Sequence, residues 1–396
     1  MPIEAEQAHD MDAQTILDNA RALAPGLSAR SSEIEALRRL PDDLVDQLRA
    51  AGMFRMAMPR SRGGPQMTLA QQIEVIELLS AADSSVGWCV KIGADSGYFA
   101  GVMTQQVADE LMPSLDTVIA GFAPLGPGRL DRVDGGYLLS GRFPFGSGST
   151  HADLFFATGA VFEDGRPATG GLWGGMVPRM AFVKPAQVTI EDTWFTTGLS
   201  GTGSNHWVAK EVFVPERHAL DPSSQVRRAD DPSYAHPLNF TATLAAVPIG
   251  IMARAIDEAK AFAMAKMVPF PPPARPMSDI GHVRATIADA TMRYRAARAL
   301  ALDSAGALRA ALAIGEAPLE TRAAVALSMV NASRAACDVT RMLFDLVGTA
   351  AIMQGATMGR LLRDAMTVNQ HVTVGQPGVE LLGGMLMGAP HPSPFI

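Results

Sequence analysis

The stretch 131–145, DRVDGGYLLSGRFPF, decides how the rest of the chain is read. Apolar and polar residues alternate on both sides of Asp134-Gly135-Gly136, the pattern of strand, hairpin turn and strand. Nothing before about residue 117 or after about residue 235 looks like this. The hairpin therefore belongs to a β unit set between helical parts. LFFATGAVF (154–162), MAFVKPAQVTI (180–190) and HWVAKEVFVP (206–215) supply further strands of that unit.

Outward from there the period changes. In TLAQQIEVIELLSAAD (68–83), Leu69, Ile73, Ile76 and Leu79 share one side of a helix. PDDLVDQLRAAG (41–52) reads as a helix with Pro41 in its first turn, Asp42 and Asp43 at its positive end, and Gly52 as its stop. SSVGWCVKIGADSGYFAGVM (84–103) reads as one buried helix. After the β unit, residues 239–266 read as one long helix with a bend expected at Pro248, followed by the proline-rich loop VPFPPPARP (268–276). Residues 282–312, 319–348 and 357–372 give three more helices, and the tail PSPFI (392–396) reads as extended. The fold class is mostly α with a middle β domain: 1–116 helical, 117–222 β, and 235–396 a four-helix bundle.

Composition narrows the function. The chain has 396 residues, 48% of them hydrophobic, with a net charge of -7 and no run of Lys and Arg. A nucleic-acid or anionic-membrane partner would need a basic footprint. The N-terminus is acidic and amphipathic, unlike a signal peptide. The most apolar late stretch is interrupted by Pro248, Arg254 and Asp257, so no bilayer span is expected. Cys89 and Cys337 are far apart with no CxxC, which suits a reducing cytoplasm. The eight histidines show no ligand spacing, so no metal is expected.

Three motifs remain. GLSGTGS (198–204) lacks the GxGxxG spacing and a following helix, so it reads as a turn between strands. GRFPFGSGSTHAD (141–153) ends a strand in small and hydroxyl residues. It is either an ordinary tight turn or a place where a flat ligand meets the backbone, with Phe143 and Phe145 as apolar wall. RDAMTVNQH (363–371) reads as helix with Arg363 and His371 on similar faces. Arg363–Asp364 is then either a helix ion pair or part of a site, and His371 either a satisfied histidine or a functional one.

Taken in order, five segments resemble the acyl-CoA dehydrogenase superfamily: 40–68, 76–88, 198–216, 282–289 and LLRDA (361–365). Where that family carries its glutamate base, this chain has Gln370-His371-Val372-Thr373. Its Thr-Glu-Pro is Phe122-Ala123-Pro124 here. These departures are similar to the oxygenase components of two-component (class D) flavin-dependent monooxygenases. The shared features are Phe145-Gly146-Ser147-Gly148, Asp192-Thr193-Trp194 with Gly198 to Ser204, and a histidine eight residues after the helix arginine.

The resemblance implies an oxygenase that uses reduced FMN or FAD from a separate NAD(P)H:flavin reductase, with O2 as co-substrate. It would work through a C4a-hydroperoxyflavin on a small aromatic substrate. It implies Ser147 near flavin N5 and His371 as a base for a phenol-like substrate. Phe145, Gly148, Gly348, Thr349 and Arg275 become candidate cofactor contacts, and Trp88, Tyr98 and Trp194 candidate pocket walls. A homotetramer is also implied. The alternatives are an acyl-CoA dehydrogenase with an atypical base, for which Glu380 would be proposed, and a non-catalytic flavin-binding relative.

Overall fold

The computed structural model describes residues 11–124, 126–171, 175–222 and 231–389. The extended tail expected at 392–396 lies outside the described residues. Seven helices come first: α1 Ala13–Ala29, α2 Ser31–Leu37, α3 Asp42–Ala50, α4 Leu69–Ala82, α5 Ser84–Gly93, α6 Ser96–Val102 and α7 Gln105–Leu111. Side chains fix several starts. The Asp12 carboxylate accepts the Thr15 N–H, and Thr68 and Gln71 form a reciprocal capping box at α4. Pro41 proves to be the cap residue of α3 and not part of its first turn. The single helix expected over 84–103 is two, because Gly93 ends the first and Ser96 opens the second.

α4 also differs from its expected one-sided pattern. Leu69, Ile73, Ile76 and Leu79 are buried with Gln72 among them, but so are Val75 and Glu77 on either side of that stripe. The helix is packed by α1, α5 and α9 at once. Its buried arc is wide, with only the face of Gln71, Glu74 and Leu78 left open, so polar residues inside the arc need partners. Glu77 has them in Tyr294 Oη at 2.6 Å and Arg298 Nε at 2.7 Å.

The β unit opens with β1 Ile119–Phe122, β2 Gly128–Val133, β3 Gly136–Gly146 and β4 Leu154–Glu163. The β2–β3 hairpin forms where expected, with Val133 opposite Gly136. Gly135 takes φ +75° in the turn, a backbone glycine adopts without strain. β4 pairs parallel with β1 and β2 and antiparallel with Pro178–Val183. β3 pairs with Asn205–Pro215, and Thr189–Glu191 lies on that strand's other side. The single strand expected over 180–190 is cut by a 3-10 turn at Pro185–Gln187, since proline cannot supply a ladder N–H.

The last part holds α8 Leu238–Thr241, α9 Ala246–Ala265, α10 Gly281–Ile314, α11 Leu319–Val347, α12 Thr357–Val368 and α13 Gln376–Leu386. The long helix expected from 239 is α8 and α9 joined by a 3-10 turn at Ala242–Ala245, and Pro248 falls in the first turn of α9. The run Leu238–Ala265 is long and apolar enough to cross a membrane, contrary to the sequence expectation. However, 83% of its most apolar window is buried inside the fold, as in a core helix. α12 ends at Val368, not at residue 372. His371 therefore sits in the turn beyond the helix.

One apolar core runs continuously from α1, α4 and α5 into α9, α11 and α12. The sheet has its own core around Tyr137, Phe143, Phe155 and Trp207. A third, aromatic cluster of Tyr98, Phe99, Phe156, Phe182 and Phe240 joins α6 to the sheet and to α8. Ion pairs tie the layers together: Arg55 Nε donates to Asp116 Oδ1 at 2.8 Å, and Arg49 reaches Asp153 at 2.8 Å.

Candidate active site

The turn after β3 carries the first group of residues. Phe145 stands at φ +61° with 61% of its surface exposed. A bulky residue in the left-handed region is strained, and such strain collects at functional sites. The turn is held from the 198–204 loop, where Thr202 O accepts the Gly148 N–H at 2.8 Å and Gly203 O accepts the Ser149 hydroxyl at 2.8 Å. Ser147 is buried between them. Its Oγ accepts the Trp88 Nε1–H at 2.9 Å and lies 2.7 Å from Ser204 Oγ. Ser204 Oγ is in turn 2.7 Å from Thr202 Oγ1, which donates to Leu199 O at 2.8 Å.

Trp88 projects from α5, whose start is set by the Asp83 carboxylate accepting the Ser85 and Val86 N–H groups. The far side of its indole meets the His371 ring edge-on, with centroids 5.6 Å apart. The structure thus brings Ser147 and His371 to one tryptophan. His371 Nδ1 is 2.8 Å from Thr373 Oγ1. Burial, and then the Lys91 cation, push the imidazole down to about 4, so it is neutral at ordinary pH. The Thr373 N–H also donates toward Nδ1, at 3.4 Å, so the two Thr373 contacts favour opposite tautomers; the one that gives Nδ1–H to the Thr373 hydroxyl leaves a lone pair on Nε2 that can take a proton.

One turn beyond Trp88 on α5 lies a buried ion pair, Lys91 Nζ to Asp95 Oδ2 at 2.9 Å. Burial raises the Asp95 carboxyl to about 6, opposed by Lys91. The Lys91 ammonium also sits 5.9 Å from the Phe240 ring, which packs 5.0 Å from the Tyr98 ring. Lys91, Phe240 and Tyr98 therefore form a connected group that begins one helical turn from Trp88.

Trp194 lies elsewhere. It meets Phe145 edge-on at 6.2 Å and donates Nε1–H to Leu199 O at 3.0 Å. It belongs with the Phe145 face and not with Trp88 and Tyr98. Gly348 and Thr349 are exposed just past α11, and Arg275 is exposed in a short strand before α10. The structure shows no contact of these three with Ser147 or His371. The surface grooves beside Arg132 and Arg166 and beside Tyr294 and Arg298 also lie apart from this cluster.

Arg363 and Asp364 do not pair. Adjacent helix residues point about 100° apart. Arg363 turns outward to Glu35 and donates to Thr197 O at 2.7 Å. Asp364 turns inward, is buried, and accepts the Leu199 N–H at 2.7 Å. Burial raises its carboxyl to about 7, with the Leu199 N–H opposing and the nearby Asp83 adding to the rise. α12 thus holds the loop that carries the hydroxyl chain.

Thr202, Ser204, Lys91, Asp95 and Thr373 were not singled out by sequence as site residues. No local pattern marks Thr202 and Ser204 as a pair, because they meet through a 3-10 turn at Ser200–Thr202 and Gly203 at φ +52° and not along a strand.

A flat amphipathic ring fits what is present. Exposed Phe145 and half-buried Trp194 offer aromatic surface beside the Ser147 turn, and Ser147 offers a polar contact at its edge. Buried His206 Nδ1 and Trp207 Nε1, next to that turn, have no partner in the protein.

Residues 10–115 match the family model for the acyl-CoA dehydrogenase N-terminal domain, and residues 242–376 match that for its C-terminal domain. The chain is 31% identical over 363 residues to indole-3-acetate monooxygenase of Pseudomonas putida, covering 91% of this chain and 90% of that protein. It is 29% identical over 377 residues to the flavin-dependent monooxygenase oxygenase subunit HsaA of Mycobacterium tuberculosis, covering 91% and 92%. The crystal structure of the M. tuberculosis HsaA monooxygenase superposes with a TM-score of 0.88 at 26% identity, covering 98% of this chain and all of that one.

Proposed function

This chain belongs to the acyl-CoA dehydrogenase family and is a flavin-dependent monooxygenase oxygenase component, within which we propose that Ser147 and His371 divide the work on a small aromatic substrate. The single observation that carries the division is Trp88, which holds Ser147 through its N–H and faces His371 with its ring. When bound in its reduced form, the flavin supplies two electrons and the site at which dioxygen is activated.

The protein's residues do the rest. Phe145 and Trp194 flank the flavin ring and keep water from it. Ser147 hydrogen-bonds the ring at N5. His371, half-buried and kept neutral by desolvation and the Lys91 cation, accepts the proton of a phenol-like hydroxyl and makes the substrate ring more nucleophilic. Trp88 and Tyr98 form the substrate wall. Gly348, Thr349 and Arg275 reach a flavin only across a contact between copies of the chain. The exposed apolar side chains Ile352 and Met353, just past Gly348 and Thr349 in the chain, support a tetramer in which copies complete each other's sites. Reduced flavin comes from a separate reductase. The compartment in this reading is the cytoplasm, where Cys89 and Cys337 persist as free thiols.

Glu380, the base that an acyl-CoA dehydrogenase reading would need, is exposed on α13 and bound by the Gln376 side chain at 3.0 Å. That favours oxygenation. The test supplies reduced FMN or FAD, oxygen and a panel of phenols and indoles. Oxygenated product with one of them supports the reading. Bleaching of bound flavin by an acyl-CoA, with no oxygenated product from any panel member, sinks it.

A further inference from the structure

The hydroxyl chain beneath the proposed flavin site has a fixed direction, and that direction has a consequence for which redox form of a flavin fits. Its two ends cannot reverse. The Trp88 indole N–H only donates, and the Leu199 carbonyl only accepts. Thr202 donates its one proton to Leu199 O at 2.8 Å. It therefore accepts at its 2.7 Å contact with Ser204, which must be the donor there. Ser204 has then used its proton, so at 2.7 Å Ser147 must donate to Ser204. Ser147 meanwhile accepts from Trp88 at 2.9 Å. One lone pair is left on Ser147 Oγ and no proton.

We propose that Thr202 and Ser204 are positioning residues that make Ser147 a hydrogen-bond acceptor, so that the site favours reduced over oxidised flavin. This rests on the reading that places flavin N5 against Ser147. Reduced flavin carries a proton on N5 and donates it into the free lone pair. Oxidised flavin has a lone pair on N5 and meets another lone pair. To serve it, the chain must reverse, with Thr202 donating to Ser204, Ser204 to Ser147, and Ser147 to the ring. Reversal gives up the Thr202–Leu199 hydrogen bond. Leu199 is not free to follow, because its N–H is held by buried Asp364 at 2.7 Å and its carbonyl also takes the Trp194 Nε1–H at 3.0 Å. An oxygenase fed reduced flavin by diffusion gains from this bias, since spent oxidised flavin then leaves in favour of fresh reduced flavin.

The bias is worth about one neutral hydrogen bond, which is roughly three- to tenfold in the ratio of the two dissociation constants. The experiment titrates the full-length protein with oxidised FMN in air and reduced FMN without oxygen, with FAD in a parallel series. The variants are Thr202→Val, Thr202→Ser, Ser204→Ala and Ser147→Ala. Thr202→Val and Ser204→Ala free the chain to reverse. Each is expected to narrow the oxidised-to-reduced ratio by about three- to tenfold, mainly by tightening oxidised flavin. Thr202→Ser keeps the donor and should keep the wild-type ratio. If Thr202→Val does not fold, Ser204→Ala carries the test.

A ratio unchanged in both variants, while Ser147→Ala weakens reduced flavin, overturns the polarity and leaves the site reading standing. Ser147→Ala that leaves both affinities at wild-type values overturns the site reading, and this inference with it.

Discussion

Replacing Gly198 by alanine perturbs the joint between α12 and the loop that carries the hydroxyl chain. Gly198 is buried against the backbone of α12. A Cβ there would lie 2.2 Å from Arg363 O, 2.4 Å from Arg363 C and 2.6 Å from Thr367 Oγ1. Real Cβ contacts essentially never fall below 3.0 Å, so loop and helix must part by about 0.8 Å. Leu199 follows directly, and its 2.7 Å bond to Asp364 stretches past hydrogen-bond length. Overpacking of this kind costs about 1–3 kcal/mol, and a buried bond to a carboxylate adds about 1.5–3 kcal/mol. The two overlap, so the expected loss is about 2–5 kcal/mol. Urea unfolding followed by circular dichroism reads it, with the denaturant slope checked for constancy. The control is Gly306→Ala on the exposed side of α10, where a Cβ meets nothing within 4 Å, and which should gain up to about 1 kcal/mol. Flavin affinity should fall with Gly198→Ala, because the displaced loop carries Thr202 and Ser204. A Gly198→Ala protein within about 0.5 kcal/mol of wild type, binding flavin normally, would refute the claim that α12 fixes this loop.

Four further outcomes are expected. His371→Asn should lower turnover by about a hundredfold or more at saturating reduced flavin, with flavin affinity little changed. Because burial and Lys91 hold His371 at about 4, the wild-type rate should not lose this base between pH 8 and about 5; a rate step near 6.5 that vanishes in His371→Asn would contradict that. Lys91→Met removes the cation that helps depress His371 and the partner that opposes the Asp95 rise. Both groups should then titrate higher, as read by NMR of the imidazole and carboxyl signals, and an unmoved His371 would show that Lys91 does not act on it. Arg55→Met strands the half-buried Asp116 carboxylate and should cost about 3–5 kcal/mol in urea unfolding, whereas Arg341→Met, at an exposed pair with Asp345, should change stability little.

The sequence by itself determined the order of elements and the family. Periodicity, turn residues and caps act over a few residues, so the α–β–α order, the Asp134-Gly135 hairpin and the α10 and α11 helices are written in local pattern. The family segments were legible for the same reason: each is a short contiguous string. Local pattern misled where a neighbour far along the chain decides. α4 looked narrowly one-sided but is buried over a wider arc, and His371 looked helical although α12 stops at Val368.

Only the tertiary structure decided which side chains meet. Trp88 reaches Ser147 across 59 residues, and Asp364 reaches Leu199 across 165. Neither spacing carries any signal in one sequence, because loop closure over such lengths leaves no local trace. The direction in which a hydroxyl gives its proton is set in the same way. It depends on what stands at both ends of the chain, and Trp88 and Leu199 are brought to those ends only by folding.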